Sequence, residues 1–230
     1  MIHSNIKLTV ISKGRPQNVS LYPMETVWYV NKDEEPEYKE QGAITRIVKY
    51  DTIGELRNIV LNDNKGKWLA MMDDDLKKIE YVESKTKTSR ITLPNALDFM
   101  VKSLKATKFL RFAGISPIAK IFYYNKPESF TNFIPGNISI IHPDNELRYD
   151  ENLRTKEDYD FTLQHIKKYG GALRCNKILA TFQHYTNAGG FTNIRNLDIE
   201  NESISYLMKK WETAIRLNKK RAGEILMNVR

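Results

Sequence analysis

Residues 67–76 read KWLAMMDDDL, an apolar run that fits a buried strand and ends in three consecutive carboxylates, Asp73, Asp74 and Asp75. On a strand, neighbouring side chains point to opposite faces and residues two apart share one. The pattern therefore predicts Asp73 and Asp75 in one cleft, with Asp74 turned away. Adjacent acids repel, so the cluster asks for a cation. Mg²⁺ or Mn²⁺ takes one or two carboxylates and completes its shell with water and substrate phosphates, which ties the feature to a phosphate-bearing ligand. A polar strand end running into a turn is the competing reading of the same ten residues.

Upstream, residues 6–12 read as a buried strand broken by Lys13-Gly14-Arg15-Pro16. TVWYV at 26–30 predicts a second strand, the acidic stretch to Gln41 a helix, and 43–50 a third strand. Residues 54–61 carry Leu56, Ile59 and Val60 at helical spacing. Strands alternating with short helices predict an α/β fold with a mostly parallel central sheet flanked by helices. In such sheets ligands collect at the carboxyl ends of strands. The Ser12-Gly14-Arg15 loop, Asp51 and the aspartate cluster all fall at such ends.

Downstream, PNALDFMVKSL at 94–104 reads as an amphipathic helix with Pro94 near its start. Residues 109–124 mix strand-like and turn-like pieces, and 138–141 form a short apolar strand. Residues 156–169 predict a helix that opens with acids and closes with Lys167, Lys168 and Gly170-Gly171, the polarity that suits the helix dipole and a glycine stop. Residues 178–185 return as a strand ending in His184, before the turn Asn187-Ala188-Gly189-Gly190. The stretch 204–229 is helix-like and basic.

The chain of 230 residues contains no Pro-, Gly- or Ser-rich linker and no internal repeat, so one domain over 1–230 is expected. Its opening carries no basic, apolar and small-residue succession of an export signal, and no run is long and apolar enough to span a membrane. The lone Cys175 cannot form an internal disulfide and reads as a small buried apolar residue. A cytoplasmic protein with no membrane insertion is expected; nothing sets its oligomeric state. The formal net charge is +8, with basic stretches around Lys102, Lys105, Lys108 and Arg111, at Lys167 and Lys168, and from Lys209 to Arg221. Solvated helix faces explain such an excess, as does an anionic partner: nucleic acid, a phosphorylated sugar donor or an acidic lipid surface.

In order, a strand, the SKGRP loop, two further strands, a helix with Gly54, Arg57 and Asn58, and a strand ending in Asp73-Asp74-Asp75 resemble the nucleotide-sugar half of GT-A fold glycosyltransferases. There a G-x-x-x-R-N-like helix precedes an apolar strand carrying an Asp-x-Asp motif. Gly54-Glu55-Leu56-Arg57-Asn58 fits with one residue fewer than the commonest spacing. VISKGRPQNV (10–19), MMDDDL, RTKEDYDFTLQHI (154–166) and FQHYTNAGG (182–190) resemble a narrower group, the TET-associated glycosyltransferases, many encoded by bacteriophages and implicated in adding sugar to hydroxymethylated pyrimidines in DNA. The resemblance does not extend over 77–130.

What the resemblance implies is a donor half at 1–76, an acceptor and catalytic half at 77–200, and a basic helical segment at 201–230. The donor would be a nucleotide-diphosphate sugar, most naturally a UDP-sugar, met by Ser12, Gly14, Arg15, Asp51, Arg57, Asp73 and Asp74. The divalent metal, Mn²⁺ or Mg²⁺, would be held by Asp73, Asp75 and His184. Glu157-Asp158 resembles the Glu-Asp pair that supplies the base in many inverting members, with Asp158 first, Glu157 second and Asp160 a lesser candidate. Each has a plainer alternative: Asp51 as a helix cap, Arg57 in a surface ion pair with Asp51 or Glu55, His184 bonded to a carbonyl, the three acids merely favourable with the helix dipole. The acceptor implied is a modified DNA base, in the host cytoplasm if the chain is phage-encoded. A polysaccharide, lipid-linked sugar or protein is the alternative acceptor. A nucleotidyltransferase also pairs aspartates with metal, but KGRP is thin for the phosphate loop it would need.

Overall fold

The computed structural model describes residues 5–183, 197–221 and 223–229. Four strands predicted from their apolar runs, β1 (Ile6–Ile11), β2 (Val27–Asn31), β3 (Ile44–Val48) and β4 (Trp68–Asp73), pair in parallel in the order β3-β2-β1-β4. β9 (Ile138–Ile141) then pairs antiparallel with both β4 and β7 (Phe112–Ile115), and β10 (Leu173–Cys175) is parallel to β7, with β8 (Glu128–Ser129) at the edge. The result is a mixed, mostly parallel eight-stranded sheet. The chain order reverses between β1 and β4, which is where ligands collect in open α/β sheets.

Strand β4 sets the two faces by simple alternation. Ala70 and Met72 enter a core with Trp28, Tyr38, Leu97 and Met100, whereas Leu69 and Met71 pack with Leu56, Val60, Phe112 and Phe161. The first core is covered by α1 (Glu35–Glu40) and α3 (Leu93–Ala106), the second by α2 (Ile53–Asp63) and α4 (Glu157–Tyr169). Met71 and Ala70 are completely buried, and a large apolar side chain so enclosed contributes roughly 1.5–3 kcal/mol. Cys175 is likewise buried, and burial pushes its thiol pKa upward.

Local signals mark the helix ends. Thr52 caps α2 by accepting from the Glu55 amide at 3.1 Å, and Thr92 caps α3 in the same way through Asn95. Helix α4 begins after Lys156 in a left-handed conformation and stops at Gly170, with φ of 77°, where glycine alone incurs no steric cost.

Two regions depart from the sequence reading. The acids at the end of β4 lead straight into a second, three-stranded antiparallel sheet of β5 (Leu76–Ser84), β6 (Lys87–Arg90) and β11 (Ile178–Phe182). Residues 76–90 escaped notice because their outward faces carry Lys77, Lys78, Glu80 and Glu83, which blunt the apolar alternation. The helix read over 204–229 is corrected. Helix α5 (Leu197–Trp211) gives way to a hairpin of β12 (Ile215–Leu217) and β13 (Ile225–Met227). Gly223, with φ of 73°, and the β-branched Ile215 and Ile225 favour that turn over a continued helix.

Helix α5 is latched to α4 by charge. Lys210 Nζ lies 2.6 Å from Asp150 Oδ2 and 2.8 Å from Asp160 Oδ1, and Trp211 Nε1 donates to the same Asp160 oxygen at 2.7 Å. Asp160 is fully buried, so it serves this latch. Lys210 is exposed but Asp160 is not, so removing the lysine leaves a buried carboxylate without its counter-charge, a loss of about 2 kcal/mol. Lys210→Met is expected to lower the unfolding free energy by that amount in a denaturant titration; a loss under about 1 kcal/mol would reduce the latch to an ordinary surface pair. Burial opposes ionisation of Asp150, but hydrogen bonds from Lys210, Tyr206 and Asn152 outweigh it and hold the pKa down at about 2. The folded value lies below the unfolded one, so this contribution is present at neutral pH and is lost as the pH falls from about 4 through 2.

Candidate active site

The register of the sheet assembles the site. Ile11 pairs with Asp73 across β1 and β4, so the loop after β1 emerges beside the aspartates. Gly14 has φ of 70°, which lets the chain double back there without strain. Arg15 Nη1 then reaches Asp74 Oδ1 at 2.6 Å and lies 3.7 Å from Asp75 Oδ2. Ser12 Oγ donates to Asp74 Oδ2 at 2.5 Å. Because that hydroxyl spends its single proton on the carboxylate, its 2.5 Å contact with Tyr38 must have the tyrosine as donor. The Arg15 amide in turn donates to the Tyr38 oxygen at 3.0 Å, completing a directed chain from backbone to carboxylate. Burial raises the Tyr38 pKa to about 12, which keeps its proton in place.

Two further side chains fix the backbone of the cluster. Asn18 Nδ2 donates to the Asp74 carbonyl at 2.8 Å, and the Tyr22 hydroxyl donates to the Asp73 carbonyl at 2.5 Å while accepting from the Leu76 amide. Sequence reasoning missed Asn18, Tyr22 and Tyr38. An Asn three residues after Arg15 in a 3₁₀ turn at Pro16–Leu21 was the available hint.

Strand β4 ends at Asp73, so the two-residue alternation expected to unite Asp73 with Asp75 stops there. Asp74 and Asp75 both turn toward Arg15, and Asp73 faces the α2–α4 side. Its Oδ1 accepts from Arg57 Nη2 at 3.2 Å and its Oδ2 from Asn137 Nδ2 at 3.0 Å. Arg57 is buried, donates through Nε to Glu157 Oε1 at 3.2 Å and through Nη1 to the Gly136 carbonyl at 3.1 Å. It is thus no surface partner of Asp51 or Glu55. Burial disfavours its charge, yet Asp73, Tyr149, Glu157 and Asp158 outweigh that effect and raise its pKa. Next to it, Asn58 Nδ2 donates to the Tyr149 carbonyl and Glu151, and its Oδ1 accepts from the Tyr149 amide, so the Arg-Asn pair ties helix α2 to the segment leading into α4.

Asp158 sits in the first turn of α4, half-buried, where its Oδ2 accepts from the Gly136 amide at 3.3 Å and its Oδ1 from the Tyr159 amide at 2.9 Å. Glu157 is enclosed and committed to Arg57, which leaves Asp158 the more accessible carboxylate of the two. Gly136 has a steric reason to be glycine. A Cβ there would lie 2.4 Å from Arg57 Nη2 and 2.7 Å from Cζ. Gly136→Ala is therefore expected to drive the guanidinium off its carboxylates and cost about 3 kcal/mol; a thermal-denaturation curve superimposing on the parent would mean the guanidinium moves aside freely.

Asp51 is exposed, and only its backbone amide is engaged, donating to Glu55 Oε2 at 2.7 Å; the cap of α2 is Thr52. His184 lies outside the described residues. Strand β11 reaches the cluster just before it, where the Gln183 amide donates to the Asp75 carbonyl at 2.9 Å. Among the described residues no three His, Cys, Asp or Glu side chains are grouped so as to hold a metal.

The charge balance nonetheless favours a cation. Asp73, Asp74, Asp75, Glu157 and Asp158 gather around Arg15 and Arg57, five carboxylates against two guanidinium groups. Burial holds the Asp74 pKa above its ordinary value despite Arg15, and the neighbouring Asp73 charge works in the same direction. Mg²⁺ and Mn²⁺ accept as few as one or two carboxylates and complete their shell with water and phosphate, and Asp75 at the strand end is the kind of donor such an ion takes.

No protein-family model matches the chain, and no curated protein matches it. Its fold is that of solved structures. Glucosyl-3-phosphoglycerate synthase from Mycobacterium tuberculosis, crystallised with Mn²⁺, UDP-glucose and phosphoglyceric acid, superposes with a TM-score of 0.54 at 10% identity over 94% of this chain and 83% of that one. A second mycobacterial protein gives 0.53 at 10% identity, over 94% and 78%. S. aureus TarS gives 0.48 at 12% identity over 89% of this chain, and the chain spans 40% of the TarS length. The two mycobacterial similarities establish a GT-A-like α/β fold.

Proposed function

We propose that this chain is a metal-dependent GT-A glycosyltransferase that moves a sugar from a UDP-sugar to the hydroxymethyl group of a modified pyrimidine in DNA, with inversion. The observation that carries the reading is one connected set of contacts. Asp158 is oriented by the Gly136 amide, Gly136 by its close approach to Arg57, and Arg57 bridges Glu157 to Asp73 at the end of β4. A carboxylate suited to take a proton is thereby coupled to carboxylates suited to a diphosphate and its metal.

Asp75, with His184, would hold the ion, which when bound offsets the charge of the departing diphosphate, while Asp73 stays with Arg57. Arg15 reaches the phosphates or stacks on the base, and the turn at Gly14 turns its backbone toward the donor. The acceptor hydroxyl gives its proton to Asp158 as its oxygen bonds to the anomeric carbon. The bond from that carbon to the diphosphate oxygen breaks on the opposite side, and its electron pair leaves with UDP. Direct attack of this kind inverts the anomeric centre. The formal charge of +8 supports a polyanionic acceptor. Among the described residues no helix is long and apolar enough to cross a membrane.

A panel of nucleotide sugars incubated with hydroxymethylcytosine or hydroxymethyluracil DNA, followed by digestion and mass measurement of the nucleosides, tests the whole reading. A hexose or pentose increment on the modified nucleoside is expected. Transfer only to a soluble saccharide would replace DNA by a polysaccharide acceptor.

A further inference from the structure

A second cleft, of about 140 Å³, has a polar lining that includes Lys120, Asn125, Lys126, Asn132, Arg174 and Asn176. Among the described residues it holds three cations and three amides, and no carboxylate lines it. Arg174 donates through Nε to Asn176 Oδ1 at 2.9 Å and through Nη1 to the Phe133 carbonyl at 3.3 Å. These two bonds fix the guanidinium plane and leave Nη2 without a hydrogen bond among the described residues. Neither Arg174 nor Lys120 nor Lys126 has an ion pair among the described residues. Burial alone pulls the Arg174 pKa down, the mark of a cation enclosed without a counter-charge. A fixed guanidinium flanked by lysines and amides is complementary to a phosphate.

Two aromatic rings stand beside the cleft. Phe122 is 85% exposed and Tyr123 61% exposed, on the loop that follows β7. Their rings meet edge to face with centroids 5.2 Å apart, and Tyr123 also lines the cleft. Exposed rings next to unpaired cations are the arrangement by which single-stranded nucleic acid is held, bases stacking while the backbone follows the charge. The cleft is joined to the candidate base. Phe133, whose carbonyl Arg174 holds, stacks on Tyr159 at 3.8 Å between centroids, and Tyr159 adjoins Asp158.

We propose that this cleft is an acceptor-strand subsite, in which Arg174, Lys120 and Lys126 take a backbone phosphate and Phe122 and Tyr123 take a base of the same unstacked strand. It deepens the DNA-acceptor reading and rests on it. A base presented to Asp158 must leave the duplex stack, and the subsite holds the strand in that unstacked state.

The test measures binding of a fluorescent single-stranded oligodeoxynucleotide across a salt series, with UDP binding followed in parallel. The double variant Lys120→Met, Lys126→Met changes only exposed side chains and guards against misfolding in Arg174→Gln. Each lost phosphate contact is expected to flatten the slope of log K against log salt by about 0.7. Phe122→Ala is expected to weaken the oligonucleotide about tenfold without altering that slope. UDP binding should be unchanged in all of them. Parent-like slopes in both the double variant and Arg174→Gln overturn the subsite while leaving the DNA reading intact. Parent protein that ignores the oligonucleotide at low salt overturns both. Loss of UDP binding in these variants assigns the cleft to the donor and also overturns the proposal.

Discussion

Asp158→Asn is expected to lower the rate of sugar transfer by about 10²- to 10⁴-fold, the usual loss on removing a general base, while UDP-sugar binding stays near the parent value. The amide keeps the shape of the side chain, and its one carbonyl oxygen can still accept from the Tyr159 amide, at 2.9 Å in the parent, while the 3.3 Å bond from the Gly136 amide is given up. The main change is the loss of proton affinity. Single-turnover transfer together with equilibrium donor binding separates the two effects. Near-parental turnover would move the role to Glu157, and since Glu157 is bound to Arg57, a retaining mechanism would then become the better account.

Asp75→Ala is expected to abolish metal-dependent binding of UDP with the fold intact. Asp75 is buried and lies 3.7 Å from Arg15, longer than the 2.6 Å between Arg15 and Asp74. Arg15 therefore keeps its closer carboxylate when Asp75 is removed. Calorimetric titration of UDP with and without Mn²⁺ reads the effect. UDP bound equally tightly by the parent protein in the presence of a chelator would remove the metal from the mechanism. Asp74→Ala is a useful contrast: it leaves Arg15 buried without its carboxylate and the Ser12–Tyr38 chain without its terminus, so a loss of stability is expected there.

Much of the architecture was legible because it is local. The apolar runs at 6–12, 26–30, 43–50 and 67–72 declare buried strands, and Pro94 and Lys167-Lys168-Tyr169-Gly170 mark where helices begin and end. The order of those segments alone located the carboxyl ends at which the Ser12–Arg15 loop and the aspartate cluster meet. The hairpin after Leu217 was not legible, since a basic amphipathic stretch satisfies a helical period until Gly223 is seen in its left-handed conformation.

The sequence by itself determined the residue types at the site: three adjacent carboxylates at the end of a buried strand, and an acidic opening to a helix some eighty residues later. Only the tertiary structure decided how they divide. Arg57 and Glu157 are 100 residues apart, and no period in the sequence links them. Gly136 and Asn137 face Asp73 because Met72 pairs with Ile138, a register set by matching two apolar strands across the sheet. Asp73 was sent toward Arg57, and Asp74 and Asp75 toward Arg15, because the strand ended at Asp73, two residues too early for alternation to govern all three. Pairing between distant strands is fixed by what each face must bury, and a one-residue shift would exchange every side chain between faces.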